Sequence, residues 1–244
     1  MKTIYAIMKR ELSHYFTTPL AYVFIIIFLM LAATFTFYLG NFYERNQADL
    51  VPFFQYHPWL YLFLIPAISM RLWAEEKKSG SIELLMTLPI SIVQAVLGKY
   101  LAAWLFAGLA LLLTFPLWLT VNYLGEPDNG VIFSSYLGSF LMAGAFLAIG
   151  SCISATTSNQ VIAFIISIAI CFLFITTNFP FVIDFFKLWL PQVLLDTITS
   201  MSFLSHFSSI NKGVIDLRDI IYFMLMIGFW LIANVVVLEN RKQG

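Results

Sequence analysis

Residues 131–179 read VIFSSYLGSFLMAGAFLAIGSCISA-TTSNQ-VIAFIISIAICFLFITTNF, without one aspartate, glutamate, lysine or arginine. A helix crosses the hydrocarbon core of a bilayer with about 20 apolar residues, so this run is far too long for a single crossing. Its longest polar interruption, Thr156 to Gln160, is where the chain has to turn. Two spans joined by a tight turn, 131–155 and 161–179, are the reading that the stretch allows.

Working outward, uncharged windows of spanning length recur at 20–39, 53–70, 100–124 and 220–238, giving six spans in one domain over 1–244. The whole-chain composition agrees. Of 244 residues 61% are hydrophobic and 11% charged, where a soluble domain carries roughly a quarter charged residues. The mean hydropathy of +0.88 belongs to the polytopic membrane class. The fold class expected is therefore an all-α polytopic membrane protein. A net charge of zero argues against nucleic acid as a partner, because phosphate binding needs a surplus of Lys and Arg.

Six spans put both termini on one side, and the basic residues then sort unevenly. Lys2, Lys9, Arg10, Arg71, Lys77, Lys78, Lys99, Arg241 and Lys242 fall together, against Arg45, Lys187, Lys212 and Arg218 opposite. Basic residues favour the cytoplasmic side, so both termini of a multi-pass protein are expected there. No small-residue cleavage site follows the first span, and a cleavable signal peptide is not expected. Before that span, Ile4, Met8, Leu12 and Tyr15 form an apolar stripe with Ile7 and Phe16 beside it, while Lys2, Lys9, Arg10 and Ser13 fill the wetter side. An interfacial helix lying along the inner leaflet is expected there, with Pro19 turning the chain into the membrane. The segment 181–198 is apolar but holds Asp184, Lys187, Pro191 and Asp196. Charges and a proline disfavour a crossing, so short interfacial or re-entrant helices are expected on the outer face between spans five and six.

The signatures of an enzyme are missing. The nearest approach to a phosphate-binding loop, Gly125 to Gly130, continues with Val131 and Ile132 in place of the Lys and hydroxyl that hold phosphate and magnesium. Neither a His-Glu-x-x-His nor a Gly-x-Ser-x-Gly motif occurs. His14, His57 and His206 lie on separate segments and share no metal site, and His57 beside Pro58 reads as an interfacial residue at a helix start. Cys152 and Cys171 sit within apolar runs and read as small buried hydrophobes. The phenylalanines read mostly as lipid-facing bulk. Gly144, Ala148 and Cys152, spaced by four in span four, with Gly138 and Ala145 nearby, suit close helix packing inside the subunit. The span cores carry no charge, against ion-coupled transport and voltage sensing, which place charges in the membrane. A six-span ion channel would need a polar filter loop or a charged sensor, and neither is present.

The chemistry that remains is cytoplasmic. Between spans two and three lies Arg71-Leu-Trp-Ala-Glu75-Glu76-Lys77-Lys78-Ser-Gly80-Ser-Ile-Glu83-Leu84-Leu85-Met-Thr-Leu-Pro89, with Lys99 just beyond. Ser81 suits the cap of a short helix that Pro89 ends. Two readings are open: a solvated loop whose charges hold it in the cytoplasm, or a short amphipathic helix that docks in another protein and passes movement to the spans.

The pattern from Trp73 through Glu75, Glu76, Lys77, Gly80, Glu83, Leu84 and Leu85 to Pro89 resembles the coupling segment of ABC-2 type permeases. A second stretch, His206 to Asp219 with Gly213, Asp216 and Arg218, resembles the approach to the last span in that family, and most of all in its gliding-motility GldF-like subgroup. The resemblance implies a permease without ATP-binding residues of its own. A separate cytosolic ATPase would hold ATP and magnesium, a second permease would complete a homodimer or heterodimer, and no cofactor would bind this chain. It implies that Glu75, Glu76 and Glu83, within a coupling set that also holds Arg71, Lys77, Lys78, Gly80, Leu84, Leu85 and Pro89, meet basic groups of the ATPase. The outer helices would close the pathway, and export is the implied direction. Asp216 and Asp219 flanking Arg218 read independently as ion pairing and capping at an external boundary. The rival reading is a non-transporting six-span assembly or structural subunit. Uncharged spans suit a lipid, polysaccharide or hydrophobic peptide as cargo.

Overall fold

The computed structural model describes residues 2–87, 89–187 and 191–242; the side chains at 84–86 and 241–242 lie outside the description, including those of Leu84 and Leu85 in the coupling set. Every regular element among the described residues is helical.

The chain opens with α1, Lys2–Thr17. Pro19 then starts α2, Pro19–Thr34, which widens into a π-helical segment, Phe35–Leu39. The second span window is divided. α3, Val51–Gln55, and α4, His57–Ser69, each begin with a proline at a first-turn position, where a missing N–H is tolerated. Met70 leads directly into α5, Arg71–Ser79, and Gly80 at φ +73° separates it from α6, Ser81–Thr87. The left-handed turn at Gly80 favours glycine because it has no Cβ.

The third window starts earlier than its charge pattern suggested. α7, Ile92–Leu112, is opened by a reciprocal cap in which Ser91 Oγ accepts from Gln94 N and the Gln94 side chain accepts from Ser91 N. Lys99 thus stands within this helix and not in the loop before it. After a break at Leu113–Thr114, α8, Phe115–Leu124, continues the span with Pro116 in its first turn. α9, Asn129–Thr156, is capped by the Asp128 carboxylate. The turn expected at 156–160 is present: Asn159 caps α10, Gln160–Thr176, through Val161 N at 2.9 Å. The chain then bends by 84° into α11, Pro180–Lys187. α12, Gln192–Ser200, and α13, Phe203–Ile210, follow, and α14, Leu217–Lys242, closes the fold.

Among the described residues four helical stretches are long and apolar enough to cross a membrane: Pro19–Leu39, Ile92–Leu124, Asn129–Thr156 and Leu217–Asn240. The pair Gln160–Thr176 and Pro180–Lys187, bent by 84°, passes the same measure only when its two helices are taken together, as a broken span or a re-entrant loop. α4 is too short to pass alone, with 13 residues, about 20 Å at 1.5 Å per residue.

α9 forms the axis of the molecule, with α4, α5, α7, α10, α13 and α14 packed around it. The small residues of span four do serve internal packing. Gly144 faces Trp104 and Tyr100, Gly138 faces Ile210, and Ala145 and Ala148 are fully enclosed. The aromatic residues are divided more evenly than expected. Phe53, Phe54, Phe106, Phe146, Phe203, Phe207 and Phe223 are core, whereas Phe63, Phe115, Phe133, Phe172, Phe181, Phe185 and Phe229 are exposed. His57 does stand at a helix start, as the first residue of α4, and is enclosed by the protein. It is buried, its Nδ1 lies 2.9 Å from Phe53 O, and the rings of Phe28, Phe53, Phe54 and Tyr61 surround it. Pro52 and Pro58 stand in the first turns of α3 and α4, on either side of it.

Candidate functional site

α5 lies against the Thr156 end of α9, and three of its first four residues, Leu72, Trp73 and Ala74, are buried. The first N–H groups of a helix have no partner within it. Here Ser154 Oγ supplies one, accepting from Trp73 N at 3.1 Å and Ala74 N at 3.0 Å while donating to Met70 O at 2.8 Å. One serine of the central helix therefore holds the junction between α4 and α5. Ser151, one turn before, accepts from Trp73 Nε1 at 3.3 Å and from Asn234 Nδ2 of α14 at 2.8 Å. Lys77 donates to Ala155 O. Just above, a Cβ on Gly150 would lie 1.9 Å from Ser69 Oγ, so α4 and α9 meet there through the absence of a side chain. α5 is fastened to the Thr156 end of α9, which Asn234 of α14 also meets at Ser151.

A second fastening comes from charge. Lys99 of α7 is 3% exposed, and its Nζ stands 2.7 Å from Glu76 Oε1 and 3.4 Å from Glu11 Oε2. The Trp73 ring lies 5.4 Å from the same ammonium. Burial alone would raise the Glu11 carboxyl, but Lys99, with Arg10 beside it, outweighs burial and holds it below the usual carboxylate range. α1 lies directly on α7, since a Cβ on Gly98 would come within 2.6 Å of the Ile7 side chain, and Tyr15 stacks on Phe106 at 5.0 Å. Lys99 thereby joins α1, α5 and α7 at one point. A cavity of about 230 Å³ opens beside it, lined in part by Glu11, Tyr15, Arg71, Glu75, Glu76 and Lys99.

The expected coupling residues divide into two groups. Glu76 and Lys77 face inward onto Lys99 and α9. Glu75 is exposed and takes a two-pronged bond from Arg71, at 2.8 and 3.0 Å, across one helical turn. Lys78, Gly80, Glu83 and Pro89 are exposed. The outward charge of the segment is thus Lys78, Glu83 and the Arg71–Glu75 pair. Sequence reasoning missed Ser151, Ser154, Asn234, Glu11 and the placement of Lys99. Two serines one turn apart and a lone asparagine in otherwise apolar spans were the available signal, since polar side chains in a bilayer helix bond across helices.

At the other end of α9, Ser134 Oγ bonds Ile210 O at 3.0 Å and Ser135 Oγ bonds Asn211 Oδ1 at 2.8 Å. The external-boundary residues gather here. Gly213, at φ +84°, passes Val131. Asp216 Oδ1 accepts from Arg218 N at 3.0 Å, a cap for the start of α14. The pairing expected for Arg218 is absent: among the described residues its guanidinium forms no ion pair with Asp216 or Asp219. Asp219 turns inward to His206, with Oδ1 2.5 Å from Nδ1.

A bundle with several apolar spanning helices and a charged helical segment tied to their ends defines a multi-pass membrane protein. Among the described residues no group of three or more His, Cys, Asp or Glu is placed to hold a metal. The family model described as ABC-2 family transporter protein matches residues 43–236, most of the chain. The chain belongs to the ABC-2 transporter family, and as such it is a membrane permease of an ABC transporter, a class that works with an ATPase partner. A search of curated proteins returns no match.

Proposed function

We propose that the chain is the permease subunit of an ATP-driven exporter of the bacterial cytoplasmic membrane, with six crossings and both termini in the cytoplasm. α4 together with α3 makes the second crossing, short because its neighbours enclose it, and α10 makes the fifth, with α11 to α13 at the outer face. α1 lies along the inner leaflet. The motif residues Trp73 to Pro89 and His206 to Asp219 support the gliding-motility GldF-like subgroup within the family.

The observation that carries this reading is the attachment of α5. Its first N–H groups end on Ser154 of the central helix, and Glu76 ends on Lys99 of α7, while α6 projects beyond with Glu83 exposed. A partner that grips α6 and moves it displaces α5, and α5 cannot move without carrying α9 and α7. ATP and magnesium belong to that partner, a cytosolic ATPase. A second permease, a copy of this chain or a relative, completes the pathway, and packed helix bundles of this kind switch between discrete arrangements. The uncharged spans suit a lipidic, polysaccharide or hydrophobic peptide cargo.

The test is co-expression with a candidate ATPase and measurement of ATP turnover in lipid. Charge reversal at Lys78 and Glu83 together, both exposed, is expected to weaken complex formation and the turnover that the permease elicits. Unchanged assembly and turnover would overturn the docking assignment.

A further inference from the structure

The ring of His206 touches two acceptors. Nδ1 is 2.5 Å from the Asp219 carboxylate and Nε2 is 2.8 Å from the Ser200 backbone carbonyl. A carbonyl oxygen only accepts, so Nε2 must carry a hydrogen. A neutral imidazole has one N–H, which leaves Nδ1 as a bare lone pair facing a carboxylate oxygen unless one more proton is present. That proton sits either on Nδ1, making an imidazolium, or on Asp219, which then donates to Nδ1. The contact is mostly enclosed, with side chains 10% and 8% exposed for His206 and Asp219, so little water reaches two acceptors facing each other there.

The same residues join three elements. His206 belongs to α13, Ser200 ends α12 and Asp219 opens α14. Tyr222, one turn into α14, stacks on the imidazole with ring centres 3.9 Å apart and donates its hydroxyl to Met201 O. Asp216, just before α14, and Arg218 in its first turn line, together with Ser200, His206 and Asp219, a hollow of about 290 Å³. α9 and α10, which pack on α13, contain no charged residue, and Asp196 of α12 is bonded by Gln192. Only Asp219 is bonded to the ring as a charged partner.

We infer that His206, Asp219 and the Ser200 carbonyl form a one-proton latch that clamps the α12–α13 turn to the start of the last span. With the proton in place both contacts hold. Without it, either Nδ1 faces the carboxylate with two lone pairs or Nε2 faces the Ser200 carbonyl with two, and one contact opens. Opening on either side breaks the proton-dependent tie between the Ser200–Met201 turn and α14 and leaves the Tyr222 hydroxyl bond to Met201 O. The latch therefore makes the mobility of this turn depend on pH, independently of any ATPase. Only its description as an outer latch rests on the topology proposed above.

Two measurements on the whole purified protein in lipid test it. The first is nuclear magnetic resonance of histidine ring nitrogens at about pH 7, with His206 assigned by comparison with Asp219→Asn and His14→Gln chains. Both ring nitrogens protonated, or a single ring N–H accompanied by a carboxylic acid signal that Asp219→Asn removes, is the expected result. A neutral ring beside an ionised carboxylate overturns the latch. The second is the mobility of a spin label at Met201, a residue 45% exposed. A single-proton opening changes the mobile-to-immobile ratio by about tenfold per pH unit while the latched form dominates, and His206→Gln is expected to abolish that dependence. A ratio that follows pH equally in the His206→Gln chain overturns the assignment, and the wild-type resonance decides the matter even where that variant does not fold.

Discussion

Replacing Lys99 by methionine keeps the length of the stem and removes the charge that joins α1, α5 and α7. The Lys99 side chain is 4% exposed, and its ammonium faces two carboxylates, at 2.7 and 3.4 Å. Removing one partner of a buried ion pair costs about 3–5 kcal/mol, because the other charge stays buried and uncompensated. Glu76 and Glu11 retain 21% and 16% side-chain exposure, so water screens part of that penalty, and about 2–3 kcal/mol is the expected loss. For a chain of this size each kcal/mol moves the melting point by roughly 2–4 °C, giving a fall of about 4–12 °C in detergent. The triple variant Lys99→Met, Glu76→Gln, Glu11→Gln leaves no buried charge at this junction, and replacing a whole buried pair is often close to neutral. It should therefore melt well above the single variant. Thermal unfolding followed by intrinsic tryptophan fluorescence reads both. A single variant within about 1 °C of the parent, or a triple variant no better than the single, would refute the claim that Lys99 is the junction.

Ser154→Ala removes the acceptor for Trp73 N and Ala74 N. An unmet buried donor costs about 1–3 kcal/mol, and ATP turnover elicited by the permease should fall more than stability does, read by comparing turnover with melting. Gly150→Ala brings a Cβ to within 1.9 Å of Ser69 Oγ, and overpacking of about 1–3 kcal/mol should appear as a lowered melting point. Because the folded Glu11 carboxyl lies below its ordinary value of 4.5, its pairing contributes stability above that pH and loses it as pH falls through the lowered value. Protease cleavage within α1 should accelerate over that acidic range, and Glu11→Gln should remove the dependence.

The bundle was legible in the sequence wherever polar residues interrupt uncharged runs. Thr156 to Gln160 turns where its polarity requires, and Asn159 caps the next helix. It was misread where a charge lies inside a helix: Lys99 counted as loop because a buried lysine looks like a cytoplasmic one until Glu11 and Glu76, distant along the chain, are brought beside it. His57 was only partly legible: its proline neighbour signals the helix start that α4 makes, and Phe53, Phe54 and Tyr61 lie within four residues of it, but the Phe28 ring that helps bury it comes from another helix. The coupling segment was visible as the densest charge cluster, yet its division into inward Glu76 and Lys77 and outward Lys78 and Glu83 depends on contacts across more than twenty residues. The ends of α9, where Ser154 meets α5 and Ser134 meets Ile210, hold the connections that periodicity cannot express.

Site-directed cross-linking between the permease and its co-expressed ATPase tests the central claim most directly. The native Cys152 and Cys171 are free and buried, so a cysteine placed at exposed Glu83 of α6 supplies the accessible thiol, and one placed at Asp128, at the opposite end of α9, supplies the control. The account predicts a covalent adduct with the ATPase from Glu83→Cys and none from Asp128→Cys. An adduct from Asp128→Cys, or none from Glu83→Cys in an assembled complex, would contradict it.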